Sequence, residues 1–163
     1  MRLLVSNQAG SVDPPDTEGF LLAQSEIPAE KIEAYRKTDY RFGEAPDAVI
    51  LRVDLRSEEL ARLYSSSGFT CGAFVTAYNP YGTAQGIEAN EAAHARLGTE
   101  LRALSESVIE GAGADASGRW PEEKSYFALG IDLEAASNLG KRYRQDAIIW
   151  AGGDAVPKLI LLR

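Results

Sequence analysis

The apolar positions Leu97, Leu101 and Leu104 recur at helical spacing and predict that the longest helix of the chain covers about 87–104. Followed backward, the same stripe passes through His94, Asn90 and Ile87, so polar groups stand where apolar ones would pack better. Pro28 suits a first helical turn, and Ile32, Tyr35 and Arg36 continue a short helix over 28–37. Ser57 reads as the N-cap of a second helix that stacks Leu60, Leu63 and Tyr64 and stops at Gly68. Asp132 caps another, with the stripe Leu133, Ala136, Leu139 and Tyr143.

Strands are expected at 40–42 and 48–55 around the turn "GEAPD", at 71–78, 108–110 and 125–130, and at 147–151 and 156–162 around "GGD". Both faces of the 71–78 strand are apolar or small, which places it centrally, whereas Pro157 sends the last strand to a sheet edge. Strands and helices do not strictly alternate. The expected class is therefore α+β, a single domain with a mixed or mainly antiparallel sheet packed with three to four helices. Residues 6–18, "SNQAGSVDPPDTE", are polar and lack periodicity, so 1–24 reads as a flexible N-terminal arm and 25–163 as the domain.

At 163 residues and 45% hydrophobic content the chain can bury one real core. A net charge of −7 makes nucleic acid and anionic membranes poor partners. The single Cys71 excludes an internal disulfide, and one cysteine with one histidine cannot build a Cys/His zinc site. No metal or cofactor is expected, and a reducing cytoplasm is the simplest setting. Leu3-Leu4-Val5 is too short for a signal-peptide core, and no segment approaches the roughly 18 apolar residues of a spanning helix.

Gly111-Ala112-Gly113-Ala114-Asp115-Ala116 fits a dinucleotide-binding pattern, but "SGRWP" follows where a helix is required, so a flexible glycine loop is the better reading. The stretch "FVTAYNPYG", 74–82, carries an apolar strand into an Asn-Pro turn, with Asn90 on the next helix. Either these amides tie turn to helix, or strand end, turn and helix start line a polar pocket. In "WPEEKS" Glu122 and Glu123 point to opposite sides of an extended segment, and Glu123 and Ser125 share a face with Phe127. Glu123 is thus the inward acid, with a strand-edge charge or ion pair as the plainer alternative. The basic runs at 35–41 and 141–145 read as solvated faces, the second complementing a helix dipole; Arg36 offers a planar fork for an anion.

"YRKTDY" at 35–40, "FVTAYNP" at 74–80, Asn90, "WPEEKS" at 120–125 and "LGKRYRQDAIIW" at 139–150 together resemble the bacterial proteins grouped as domain of unknown function 3293. The resemblance implies a small bacterial domain with a shared polar set and no established activity. Read from the residues themselves, Arg36, Tyr40, Asn79, Asn90, Trp120 and Gln145 are candidate ligand-binding residues, converging at element ends on a planar, partly anionic small molecule such as a nucleotide derivative. Glu123 is the candidate general acid/base and Thr76 a weak candidate nucleophile, so whether the protein is an enzyme stays open. The competing reading is a protein-interaction or regulatory module in which these residues only brace loops. Exposure separates the two: a site needs Arg36, Asn90 and Glu123 in a cleft, whereas bracing residues are buried and paired.

Overall fold

The computed structural model describes residues 25–163; the arm expected at 1–24 lies outside the described residues. Four helices are present among them: α1 (Ala29–Lys37), α2 (Glu58–Ser67), α3 (Ile87–Leu104) and α4 (Leu133–Arg142). Their ends follow local chemistry. The Ser57 hydroxyl accepts from the Leu60 backbone N–H, the Asp132 carboxylate accepts from that of Ala135, and Gly68 closes α2 in the left-handed conformation. On α3 the buried stripe is Asn90, Ala93, His94, Leu97 and Leu101, while both terminal residues, Ile87 and Leu104, are exposed.

Seven strands, β1 (Thr38–Phe42), β2 (Val49–Leu51), β3 (Gly72–Thr76), β4 (Val108–Asp115), β5 (Glu123–Leu129), β6 (Ala147–Ala151) and β7 (Pro157–Leu161), form one sheet in the order β2-β1-β4-β5-β3-β6-β7. Every neighbouring pair is antiparallel, which makes the fold α+β. One face carries Phe42, Phe74, Phe127 and Ile149 against Leu60 and Tyr64 of α2, with the Phe42 and Phe127 rings stacked at 4.1 Å. The other carries Val75, Tyr126, Ala128 and Ile148 against Leu97 and Leu101 of α3 and Leu139 of α4. β3 is buried on both faces and lies inside the sheet, and β7 is an edge. Backbone bonds from Asp54 N to Pro157 O (2.8 Å) and from Ser57 N to Ala155 O (2.9 Å) join the segment after β2 to the β6–β7 turn, so the sheet curls and its edges approach.

Two expectations need correction. The strand expected over 48–55 ends at Leu51, because Arg52 and Leu55 turn back on each other in a single bridge and Asp54 takes a left-handed φ of 64°. The supposed loop at "GAGAD" is instead the second half of β4, paired with β1 from Gly111 opposite Phe42 to Asp115 opposite Thr38. A Cβ on Gly111 would stand 2.4 Å from the Arg41 carbonyl oxygen, so glycine serves strand contact there and this segment forms no phosphate-binding turn.

Candidate functional site

Since all pairs are antiparallel, the C-terminal ends of β3, β4 and β7 and the N-terminal ends of β1, β5 and β6 lie along one rim of the sheet. Past β3, Asn79 turns the chain in the left-handed region at φ 45°, Tyr81 repeats this at φ 53°, and a single turn of 3-10 helix spans Pro80–Gly82. Left-handed backbone is tolerated by asparagine when its amide bonds locally. Here it does so on both sides. Asn79 Nδ2 donates to Glu123 Oε1 at 2.9 Å, and Asn79 Oδ1 accepts from Asn90 Nδ2 at 3.0 Å and from the Gln85 backbone N–H at 3.2 Å. Asn90 Oδ1 in turn accepts from the Asn79 backbone N–H at 3.0 Å and from Gln85 Nε2 at 2.7 Å.

Glu123 is partly buried, and burial pushes its carboxyl above the usual carboxylate range while the Asn79 amide pulls the other way. Its charge also reaches the phenols of Tyr35, Tyr40 and Tyr78. Tyr40 is buried and donates to the Tyr35 carbonyl at 2.7 Å. Gln145 is buried and donates to the carbonyls of Tyr78 (3.1 Å) and Tyr143 (3.2 Å). The Thr76 hydroxyl donates to the Lys124 carbonyl at 2.7 Å and accepts from the Tyr78 N–H at 3.1 Å.

The eight candidates do not share one cleft. Asn79, Asn90 and Glu123 bond directly, and Thr76, Tyr40 and Gln145 attach to the same sheet rim through main-chain atoms. Arg36 instead reaches across the curled edge to Asp54 at 3.2 Å, and Trp120 stands 63% exposed in the β4–β5 loop. Asn90 and Gln145, with few donors to spare and no open face, have the burial and pairing of bracing groups.

Two further constellations escaped the reading of the chain. Asp146 is a buried carboxylate that accepts from Tyr35 Oη (2.7 Å), Lys31 Nζ (3.0 Å) and Arg163 Nε (2.6 Å), docking α1 and the end of the chain onto the start of β6. Burial alone would raise its pKa, but these three donors outweigh it and hold the carboxyl below the usual range. On the outer face, Glu91 accepts from the Tyr78 phenol and pairs with Lys124 at 2.7 Å, beside His94 stacked on Tyr126 at 4.2 Å. His94 Nδ1 is buried without a partner, and burial lowers the imidazole pKa, so the neutral form is held.

Between α3 and the end of α4 lies a cleft of about 500 Å³. Its apolar lining is Ala77, Ala89, Ala92, Ala93 and Pro80; its polar lining is Gln85, Tyr143, Glu100 and the arginines 96, 142 and 144. Arg142 pairs with Glu100 at 2.9 Å, whereas Arg96 and Arg144 make no ion pair among the described residues. Arg144 stands at φ 53° and its carbonyl accepts from the Tyr81 N–H at 2.7 Å, which ties the far wall to the Asn79 turn. The run 141–145 was visible in the sequence, but as a helix end; Arg96 carried no signal because its neighbour across the cleft comes from a distant segment.

A family model described as protein of unknown function (DUF3293) matches residues 75–148. Over this segment the chain is similar to the DUF3293 family. The DUF3293 match takes in Asn79, Asn90, Glu123, Gln145 and all the cleft-lining residues, and leaves out Arg36 and Tyr40. No curated protein and no solved structure matches the chain.

Proposed function

We propose that this protein is a binding domain for a small, partly anionic molecule of nucleotide-derivative size, held in the cleft between α3 and the end of α4. The observation that carries this reading is the charge of the lining: three arginines against one glutamate, with Arg96 and Arg144 unpaired among the described residues, on a chain whose net charge is −7. Cations gathered in a concavity against the overall charge focus the field on an incoming anion, and guanidinium forks suit carboxylate or phosphate. The volume falls within the roughly 300–1,000 Å³ of small-molecule sites. The amides of Asn79 and Asn90 support this site by bracing its wall. The reading is binding without chemistry: Glu123 is not among the lining residues, and the Thr76 hydroxyl is committed to the backbone on both sides. It includes a bacterial, reducing cytoplasm, for which the lone Cys71 is the support, and it keeps nucleic acid off the list of partners because of the charge.

A thermal-shift screen against inorganic phosphate, nucleoside monophosphates, sugar phosphates and carboxylic acids tests it. A compound at a hundredfold its dissociation constant adds about 2.7 kcal/mol of stability. The expected result is a shift in the unaltered protein that disappears in Arg96→Ala and Arg144→Ala, both at exposed positions. Absence of any shift, or an equal shift in both variants, refutes the cleft as the site and favours an interaction or regulatory module.

A further inference from the structure

Gln85 lines the cleft, and its amide is not free to choose which atom it offers. The choice is made by backbone groups, which cannot exchange donor for acceptor. The Asn79 main-chain N–H donates to Asn90 at 3.0 Å, so the Asn90 atom facing it is Oδ1. That same Oδ1 accepts from Gln85 at 2.7 Å, so the Gln85 atom facing it is Nε2. Independently, the Gln85 main-chain N–H donates to Asn79 at 3.2 Å, which fixes Asn79 Oδ1 and makes its other bonding atom Nδ2, the donor to Glu123. Both asparagines are thereby oriented, and the Gln85 side chain with them. One N–H of its Nε2 is used by the network, and its carbonyl Oε1 makes no hydrogen bond within the described residues.

We infer that Gln85 determines specificity: the ligand carries, beside the anionic group that meets Arg96 and Arg144, a hydrogen-bond donor, an O–H or amide N–H, that meets Gln85 Oε1. This rests on the cleft being the binding site. The arginines supply only donors, Glu100 is held by Arg142 through one oxygen, and the Tyr143 hydroxyl can turn to donate or accept. Gln85 Oε1 is the neutral acceptor of the lining whose orientation the network fixes. Asn90 acts as a positioning residue, since it orients Gln85 without lining the cleft.

Two pairs of probes of equal charge test the inference by titration calorimetry: methyl ribofuranoside 5-phosphate against its 2,3-di-O-methyl derivative, and N-acetylglycine against N-acetyl-N-methylglycine. The donor-bearing member of at least one pair is expected to bind about tenfold more tightly, because the capped analogue leaves the carbonyl unpaired. Gln85→Met, at an exposed position of similar length, is expected to equalise that pair while both members still lose affinity in Arg96→Ala. Equal binding of both members of each pair to the unaltered protein, with affinity still lost in Arg96→Ala, overturns the inference and leaves the cleft standing. A preference that survives Gln85→Met also overturns it. Failure of all four probes to bind removes the cleft reading and this inference together.

Discussion

Replacing Asn90 with alanine removes three hydrogen bonds at once: those to the Asn79 N–H, to Gln85 Nε2 and to Asn79 Oδ1. Their loss is not equally costly. Gln85 is exposed and its Nε2 turns to water, and Asn79 Oδ1 keeps the Gln85 N–H. The Asn79 N–H is left without its acceptor under a buried stretch of α3, at about 1–3 kcal/mol, and the lost Nδ2 bond adds about 1 kcal/mol. The sum is roughly 2–4 kcal/mol, or about 4–16 °C in Tm for a chain of this size. Urea denaturation followed by circular dichroism reads it directly. Asn90→Asp sharpens the test, because it keeps the acceptor for Asn79 N–H but puts an oxygen against Asn79 Oδ1, which Gln85 N–H and Glu123 hold in place. At pH 7 it is expected to be no more stable than Asn90→Ala. The protonated acid can donate to Asn79 Oδ1, so its folded pKa is raised; its contribution is present at low pH and lost as pH rises through that value. Relative to the unaltered protein, Asn90→Asp should therefore recover as pH falls toward 4. A stability equal to the unaltered protein at pH 7, or a cost below about 0.5 kcal/mol for Asn90→Ala, would refute the assigned amide orientations and the bracing they provide.

Three other outcomes follow from the packing. His94 has a lowered folded pKa caused first by burial, so the unfolded chain protonates earlier; stability is full above the unfolded value near pH 6.5 and falls as pH drops toward the folded one. His94→Phe, which keeps a ring on Tyr126, should flatten that slope in denaturation curves between pH 5 and 8, and an unchanged slope assigns it to another group. Arg163→Ala leaves Asp146 with Lys31 and Tyr35 only, and a loss of about 1–3 kcal/mol at pH 7 is expected by calorimetry; no loss would mean the C-terminal arginine does not dock the chain end. Gly111→Ala forces a methyl group against the Arg41 carbonyl and should cost about 1–3 kcal/mol in the same assay, whereas a flexible loop would absorb it without effect.

Local chemistry was legible in the residues themselves. The bounds of α3, the caps Ser57 and Asp132, the stop at Gly68, the "GGD" hairpin and the edge position signalled by Pro157 all rest on contacts within a few positions, and the spacing of side chains encodes such contacts directly. Asn79 and Asn90 also stood out, because a carboxamide on an apolar stripe needs a partner wherever the rest of the chain goes. Strand order could not be read this way. "GAGAD" has no strand propensity of its own and becomes one only because β1 and β5 flank it, with glycine allowing the close approach at Gly111. Asp146 reads as an ordinary polar residue before a strand until Lys31, Tyr35 and Arg163 close around it from positions over a hundred residues away or at the chain's end. The arginine cleft is likewise a product of α3 and α4 crossing one sheet face, which sets Arg96 beside a helix end nearly fifty positions on. Those features depend on burial of two apolar faces by the whole chain, and no local pattern carries that information.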